Sequence, residues 1–123
     1  MANRTGGDRN YDCPVRDILD RIGDAWSVLV ILELARGPCR FNALCRVIDG
    51  ISQRMLAVTL RRLERDGFVS RNVLPVAPPQ VEYALTDLGW SLKSQLSGLY
   101  EWADNHQPAI RQARERYDDL ADA

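Results

Sequence analysis

Arg54, Val58, Arg61 and Arg65 recur at spacings of four, three and four in ISQRMLAVTLRRLERDG, residues 51–67. On a helix turning about 100° per residue they fill one stripe, opposite Leu56, Thr59, Leu60 and Leu63, which must face a core. Three guanidinium groups on a stripe without a carboxylate are chemistry for a polyanion. A merely solvated face would interleave acids among the bases. The leading end carries Gln53 and Arg54. Gln pairs bidentately with adenine and Arg with guanine, while Ala57 and Val58 are small enough to let backbone approach a base-pair groove. Val58 can also touch a thymine methyl. Arg61 and Arg65, with Arg62 on one flank, stand further along the helix, where phosphate contact is expected rather than base reading. Ser52 caps the helix at the same end and joins the expected contact set.

Charge along the chain agrees with this reading. The net charge of −1 over 123 residues is an average. Residues 36–71 hold eight Arg against three acids, a local +5, between flanks of −2 and −4. A basic middle between acidic ends is the footprint of local polyanion contact. Arg40 and Arg46 flank the helix before this one, and Arg71 follows on a strand; Arg40 and Arg71 are expected to hold phosphates.

The remaining reactive side chains point away from catalysis. His106 is the only histidine, near the end of a helix and followed by Gln-Pro. Neither a G-x-S-x-G elbow, nor a glycine-rich phosphate loop, nor a set of ligands at metal spacing occurs, so no enzyme, metal or cofactor is expected. Three cysteines, Cys13, Cys39 and Cys45, without a CxxC pair exclude a closed disulfide framework. Cys45 shares a helix with inward Phe41, Leu44 and Ile48 and reads as buried, whereas Cys39 follows Pro38 in an expected turn and reads as exposed. The longest apolar run, WSVLVILELA, is far short of the roughly 18 residues of a bilayer span, and MANRTGGDRN has no hydrophobic signal region. A cytoplasmic protein with no membrane contact is expected.

These residues need elements to position them. CPVRDILDRIG reads as a first helix, with Pro14 at its start, Val15, Ile18, Leu19 and Ile22 inward, and Gly23 as the stop. DAWSVLVILELARG reads as a buried central helix from Asp24 to Gly37–Pro38. RFNALCRVIDG is a short third helix, and Ser52 to Gly67 bound the fourth, with Ile51 stapled onto Leu56. FVSRNVL (68–74) and VEYALT (81–86) read as two strands joined by the proline-rich PVAPPQ. A helix over 87–106 carries Leu88, Leu92, Leu96, Leu99 and Ala103 on one stripe, and Pro108 starts a last helix. Short helix, tight turn, longer helix, then a two-stranded hairpin is the order of a winged helix-turn-helix. The fold expected is mainly α with a small β-hairpin wing and additional N- and C-terminal helices. It divides into a loose tail over 1–10, the winged domain over 11–106 and a helical extension over 107–123.

CPV, GDAW, RFNALCRVIDGISQRMLAVTLRRLERDGFVSR and PPQVEYALTDLG closely resemble the HxlR-type (DUF24) bacterial transcription regulators over residues 11–105. The resemblance implies a winged-helix homodimer on a pseudo-palindromic operator, read here as a repressor, with the first and last helices forming much of the dimer interface. It also implies oxidant or electrophile sensing at the Cys before Pro, which is Cys13. A helix N-terminus favours thiolate there, and Arg16 is close in sequence. Two departures remove positive charge: Ala25 stands where the family has Lys before the Trp, and Gln80 where it has Arg after Pro-Pro. Two other readings remain: the same regulator switched by a small molecule between subunits, and a winged helix serving protein contacts alone. The Arg stripe speaks against the last, which has no use for it.

Overall fold

The computed structural model describes residues Cys13–Asp122; the tail expected over 1–10 lies outside them. Helix α1 (Pro14–Ile22) begins with Pro14 in its first turn, after Cys13 in an extended conformation. Its four apolar positions divide. Ile22 is buried and Ile18 packs against the core, while Val15 and Leu19 stay exposed at 68% and 59%. Helix α2 (Ala25–Leu34) starts where Asp24 accepts hydrogen bonds from the backbone N–H and the hydroxyl of Ser27, both at 2.9 Å. With apolar residues on every side it is the central element, as the sequence requires, and Val30, Ile31 and Leu34 are fully buried.

The next pair carries the basic stripe. Helix α3 (Phe41–Val47) leads through a turn containing Gly50, at φ +83, into α4 (Gln53–Arg65). The left-handed conformation at Gly50 would strain any side chain, although a Cβ there would meet only ordinary van der Waals contact with the Trp26 ring, at 3.7 Å. Ser52 caps α4 by accepting from the Met55 N–H at 3.0 Å. Leu56, Thr59, Leu60 and Leu63 are buried to 2% exposure or less, as their spacing predicts.

Thr59 is the odd member of that row, because its hydroxyl is buried without a hydrogen-bond partner. An unsatisfied buried hydroxyl costs about 1–3 kcal/mol. Thr59→Val is therefore expected to stabilise the domain by about 1 kcal/mol and raise its melting temperature by several degrees. Thermal unfolding checks this, and a lower melting temperature would reveal a hydroxyl partner in solution.

Strands β2 (Val69–Leu74) and β3 (Gln80–Leu85) pair antiparallel from Val69↔Leu85 to Leu74↔Gln80. The sheet has a third member that the sequence reading lacks. Strand β1 (Cys39–Arg40) pairs antiparallel with β3, Cys39↔Tyr83 and Arg40↔Glu82, giving the order β1-β3-β2. Cys39 thus lies in a strand rather than a turn, and it packs against the core rather than standing exposed.

The chain ends in one helix, α5 (Asp87–Asp122), of 36 residues. The expected break at Pro108 does not occur. A proline removes one backbone N–H from the ladder. The helix nonetheless runs unbroken from Asp87 to Asp122 with Pro108 inside it. The apolar stripe on its first half is only partly used, since Leu96 is buried while Leu88 and Leu99 are 54% and 60% exposed.

Candidate nucleic-acid interface

The core-facing row fixes which way α4 presents its other side. Ser52, Gln53, Arg54, Arg61, Arg62 and Arg65 are exposed, and Ala57 and Val58 are half-buried between them. Among the described residues the ion pairs are Arg21–Asp17 and Arg36–Glu33, at 3.6 and 3.7 Å, and none involves α4. The stripe is therefore not a web of local salt bridges.

The structure separates the arginines of this helix into two environments. Arg54 and Arg61 stand on the open outer face. Arg62 and Arg65 line a hollow between α4 and α1 together with Asp20, Arg21 and Asp66. Arg65, assigned by spacing to the outer stripe, thus also borders α1 and its acids. Sequence spacing could not show this, because the position of α1 relative to α4 is a tertiary fact.

A second basic surface lies at the other end of the motif. Arg40 and Arg46 line one cleft with Asn42, Gln80 and Glu82, where the start of α3 meets the edge of the sheet. Arg40 comes from β1 and Arg46 from the last turn of α3, so β1 pairing with β3 brings the wing to these arginines. Asn42 is a residue the sequence reading did not single out; its signal was its place just inside the N-terminus of α3. Arg71 is exposed on β2, opposite Tyr83. The wing tip over 75–79 is exposed and uncharged, and Gln80 at its base supplies an amide where the family resemblance leads one to expect a guanidinium.

The three thiols differ. Cys13 stands half-buried at the head of α1, with its carbonyl accepting from the Asp17 N–H at 3.0 Å. Burial, and then the Glu33 carboxylate, push the Cys39 thiol above its ordinary range. Glu82 adds to the rise, while the Arg40 backbone N–H and Arg46 pull it part of the way back. That shift makes Cys39 a poor nucleophile near neutral pH. Cys45 packs partly buried against the core on α3. No helix among the described residues is long and apolar enough to cross a membrane. Among them no group of His, Cys, Asp and Glu has the arrangement of a metal site.

The geometry of a capped, outward-facing basic helix beside a three-stranded wing has close counterparts. Residues 21–111 match the HxlR-like helix-turn-helix family. The uncharacterized HTH-type transcriptional regulator YtfH of Escherichia coli (strain K12) is 40% identical over 103 residues, covering 84% of this chain and 82% of that protein. Among solved structures, the transcriptional regulator YtfH from Salmonella typhimurium superposes with a TM-score of 0.76 at 39% identity, covering 85% of this chain and 94% of that one. The redox regulator HypR in its reduced form gives 0.76 at 37% identity, covering 81% and 99%. The chain belongs to the HxlR-like helix-turn-helix family, and its fold is the winged helix-turn-helix of transcription regulators.

Proposed function

We propose that this HxlR-like regulator binds a pseudo-palindromic operator as a homodimer, each copy laying α4 in the major groove. The observation that carries this is the outer face of α4, exposed and outside the ion pairs among the described residues, at the helix end a groove-reading element presents. Ser52, Gln53, Arg54, Ala57 and Val58 form the edge that meets bases, with Arg54 paired to guanine. Arg61 holds phosphate behind them. Arg40 with Arg46, and Arg71, grip the backbone on either side of the wing. Arg62 and Arg65, placed toward α1, contribute general positive potential to phosphates more than direct contact.

The dimer is formed on α1 and α5, whose Val15, Leu19, Leu99, Tyr117 and Leu120 are left exposed in the single chain. Residues beyond 106 serve dimerisation rather than the winged domain. Occupancy of a promoter by such a dimer obstructs transcription, which makes the protein a repressor. With eight arginines per dimer (Arg40, Arg46, Arg61 and Arg71 twice) near phosphate, log K should fall with log salt at a slope approaching about −7. Fluorescence anisotropy on a selected duplex across a salt series measures it; binding indifferent to salt would end the reading.

Cys13 is the proposed point of redox or electrophile control. It heads the dimer-forming helix, its HypR neighbour is a redox regulator, and the raised Cys39 thiol is the less reactive alternative. Diamide or a quinone is expected to alter DNA binding by the wild type and not by Cys13→Ser. Equal responses in both proteins would remove Cys13 from the switch. At neutral pH, iodoacetamide should label Cys13 faster than Cys39, because deprotonation of the latter is displaced to higher pH.

A further inference from the structure

Helix α1 is lightly anchored. Of its apolar positions only Ile22 is buried, Ile18 is half-buried, and Val15 and Leu19 stay exposed. Between this helix and the last turn of α4 the fold leaves open space. A hollow of about 330 Å³ is lined by Asp20 and Arg21 from α1 and by Arg62, Arg65 and Asp66 from the end of α4. A second hollow, of about 460 Å³, continues over Ile18, Phe68 and Leu88, and the two share Arg21, Arg65 and Asp66. The charged side chains of α1 and α4 thus stand on opposite banks of one groove.

The charges in this groove balance in a particular way. Asp17, which lines the second hollow, is paired with Arg21 on its own helix at 3.6 Å, so one charge of each sign is already spoken for. Two carboxylates, Asp20 and Asp66, then stand against two guanidiniums, Arg62 and Arg65. None of these four is in an ion pair among the described residues, so none is locked in place. Arg16, one turn before Asp20 on α1, does not line the hollow and makes no ion pair with it. Asp66 is the C-cap of α4 itself, and Arg62 and Arg65 occupy that helix's last turn. Asp20 is the one unpaired acid of the groove that a different element supplies.

We propose that Asp20 is a brake on DNA binding: across the groove it competes with DNA phosphate for Arg62 and Arg65, and so withholds positive charge of α4 from the duplex. This rests on the reading of α4 as the helix in the major groove. Arg65 lies about 16 Å behind Arg54 along the helix axis at 1.5 Å per residue, so it meets phosphates rather than the bases at the leading edge. Drawing these two arginines toward α1 therefore lowers affinity for every sequence alike. The open groove also makes the brake adjustable, because α1 and the arginine side chains change their separation without repacking a close-packed core. Movement of α1 away from α4 strengthens DNA binding, and movement toward it weakens binding.

Anisotropy titrations on operator and scrambled duplexes across a salt series test this. Asp20→Asn is expected to tighten binding to both duplexes by the same factor, about three- to tenfold near physiological salt, and to steepen the salt slope by about 2 units per dimer. Asp20→Glu keeps the charge and should bind like wild type. In a chain carrying Arg62→Ala and Arg65→Ala, adding Asp20→Asn should change nothing, because the groups it frees are gone. All three positions are exposed, and circular dichroism and sedimentation check that fold and association state are kept. Unchanged or weaker binding by Asp20→Asn overturns the brake. An equal gain in the chain lacking both arginines overturns it too, since the effect then belongs to net charge alone. The brake falls by itself if Arg54→Ala and Arg61→Ala still weaken DNA binding; if those two also bind like wild type, the reading of α4 falls with it.

Discussion

Arg54→Ala is expected to weaken binding to a selected operator by about 30- to 25,000-fold and to relax the preference for guanine at one position of each half-site. A bidentate arginine–guanine pair carries about 1–3 kcal/mol of discrimination, and a homodimer loses it twice, so the loss is about 2–6 kcal/mol. The exposure of Arg54, at the leading end of α4 and outside the ion pairs among the described residues, makes the side chain available for that contact. Arg61→Ala supplies the contrast. Its guanidinium stands two turns further along the outer face, so its removal should weaken all sequences alike and make the salt slope about 2 units shallower per dimer. Arg65→Ala, beside the acids of α1, should do less than either. Anisotropy titrations on the operator and on scrambled DNA distinguish these patterns. If Arg54→Ala and Arg61→Ala both bind like wild type, α4 is not the element in the groove.

The different expectations for Arg61 and Arg65 show what the sequence could and could not convey. The orientation of α4 was legible because its signals are local. A serine cap, a preceding isoleucine and four core residues at helical spacing fix the buried face without reference to the rest of the chain. The same holds for Asp24 capping α2 and for the order of helices and strands. What escaped was set by distant parts of the chain. Strand β1 is two residues long, too short for an alternating pattern, and exists because β3 offers an open edge. Arg65 belongs to the outer stripe by periodicity, yet α1 packs beside it. Pro108 reads as a boundary on local rules, but α5 runs through it. In α1 and α5 the apolar positions were identified, though half of them have no partner within the chain, a circumstance that a pattern of residue types does not reveal.

The wing is held by a contact that admits only glycine, and Gly89→Ala is expected to damage the fold severely. Gly89 is buried on the first turn of α5, and a Cβ there would overlap the Phe68 carbonyl oxygen, with the Leu85 side chain 3.2 Å away. The obstacle is backbone, so no side-chain rotation relieves it. That carbonyl is already engaged, accepting from the Thr86 N–H at 3.1 Å. The Thr86 hydroxyl in turn donates to the Gly67 carbonyl and accepts from the Gly89 N–H at 3.0 Å. One threonine thus caps α5 and ties it to the chain entering β2. Displacing α5 to make room for a methyl group breaks this set at once. Overpacking costs about 1–3 kcal/mol and a lost cap about 1 kcal/mol, so a destabilisation of about 2–4 kcal/mol is expected. For a domain stable by about 5–15 kcal/mol, this lowers the melting temperature by roughly 10–20 °C. Thr86→Ala removes the hydroxyl without forcing the backbones apart, so it should cost only about 1 kcal/mol. Thermal unfolding of the two variants ranks the causes. If Thr86→Ala proves the more damaging, the hydroxyl bonds rather than the close backbone approach hold the wing to α5. If Gly89→Ala melts like wild type, the packing of α5 on Phe68 is looser in solution than this geometry requires.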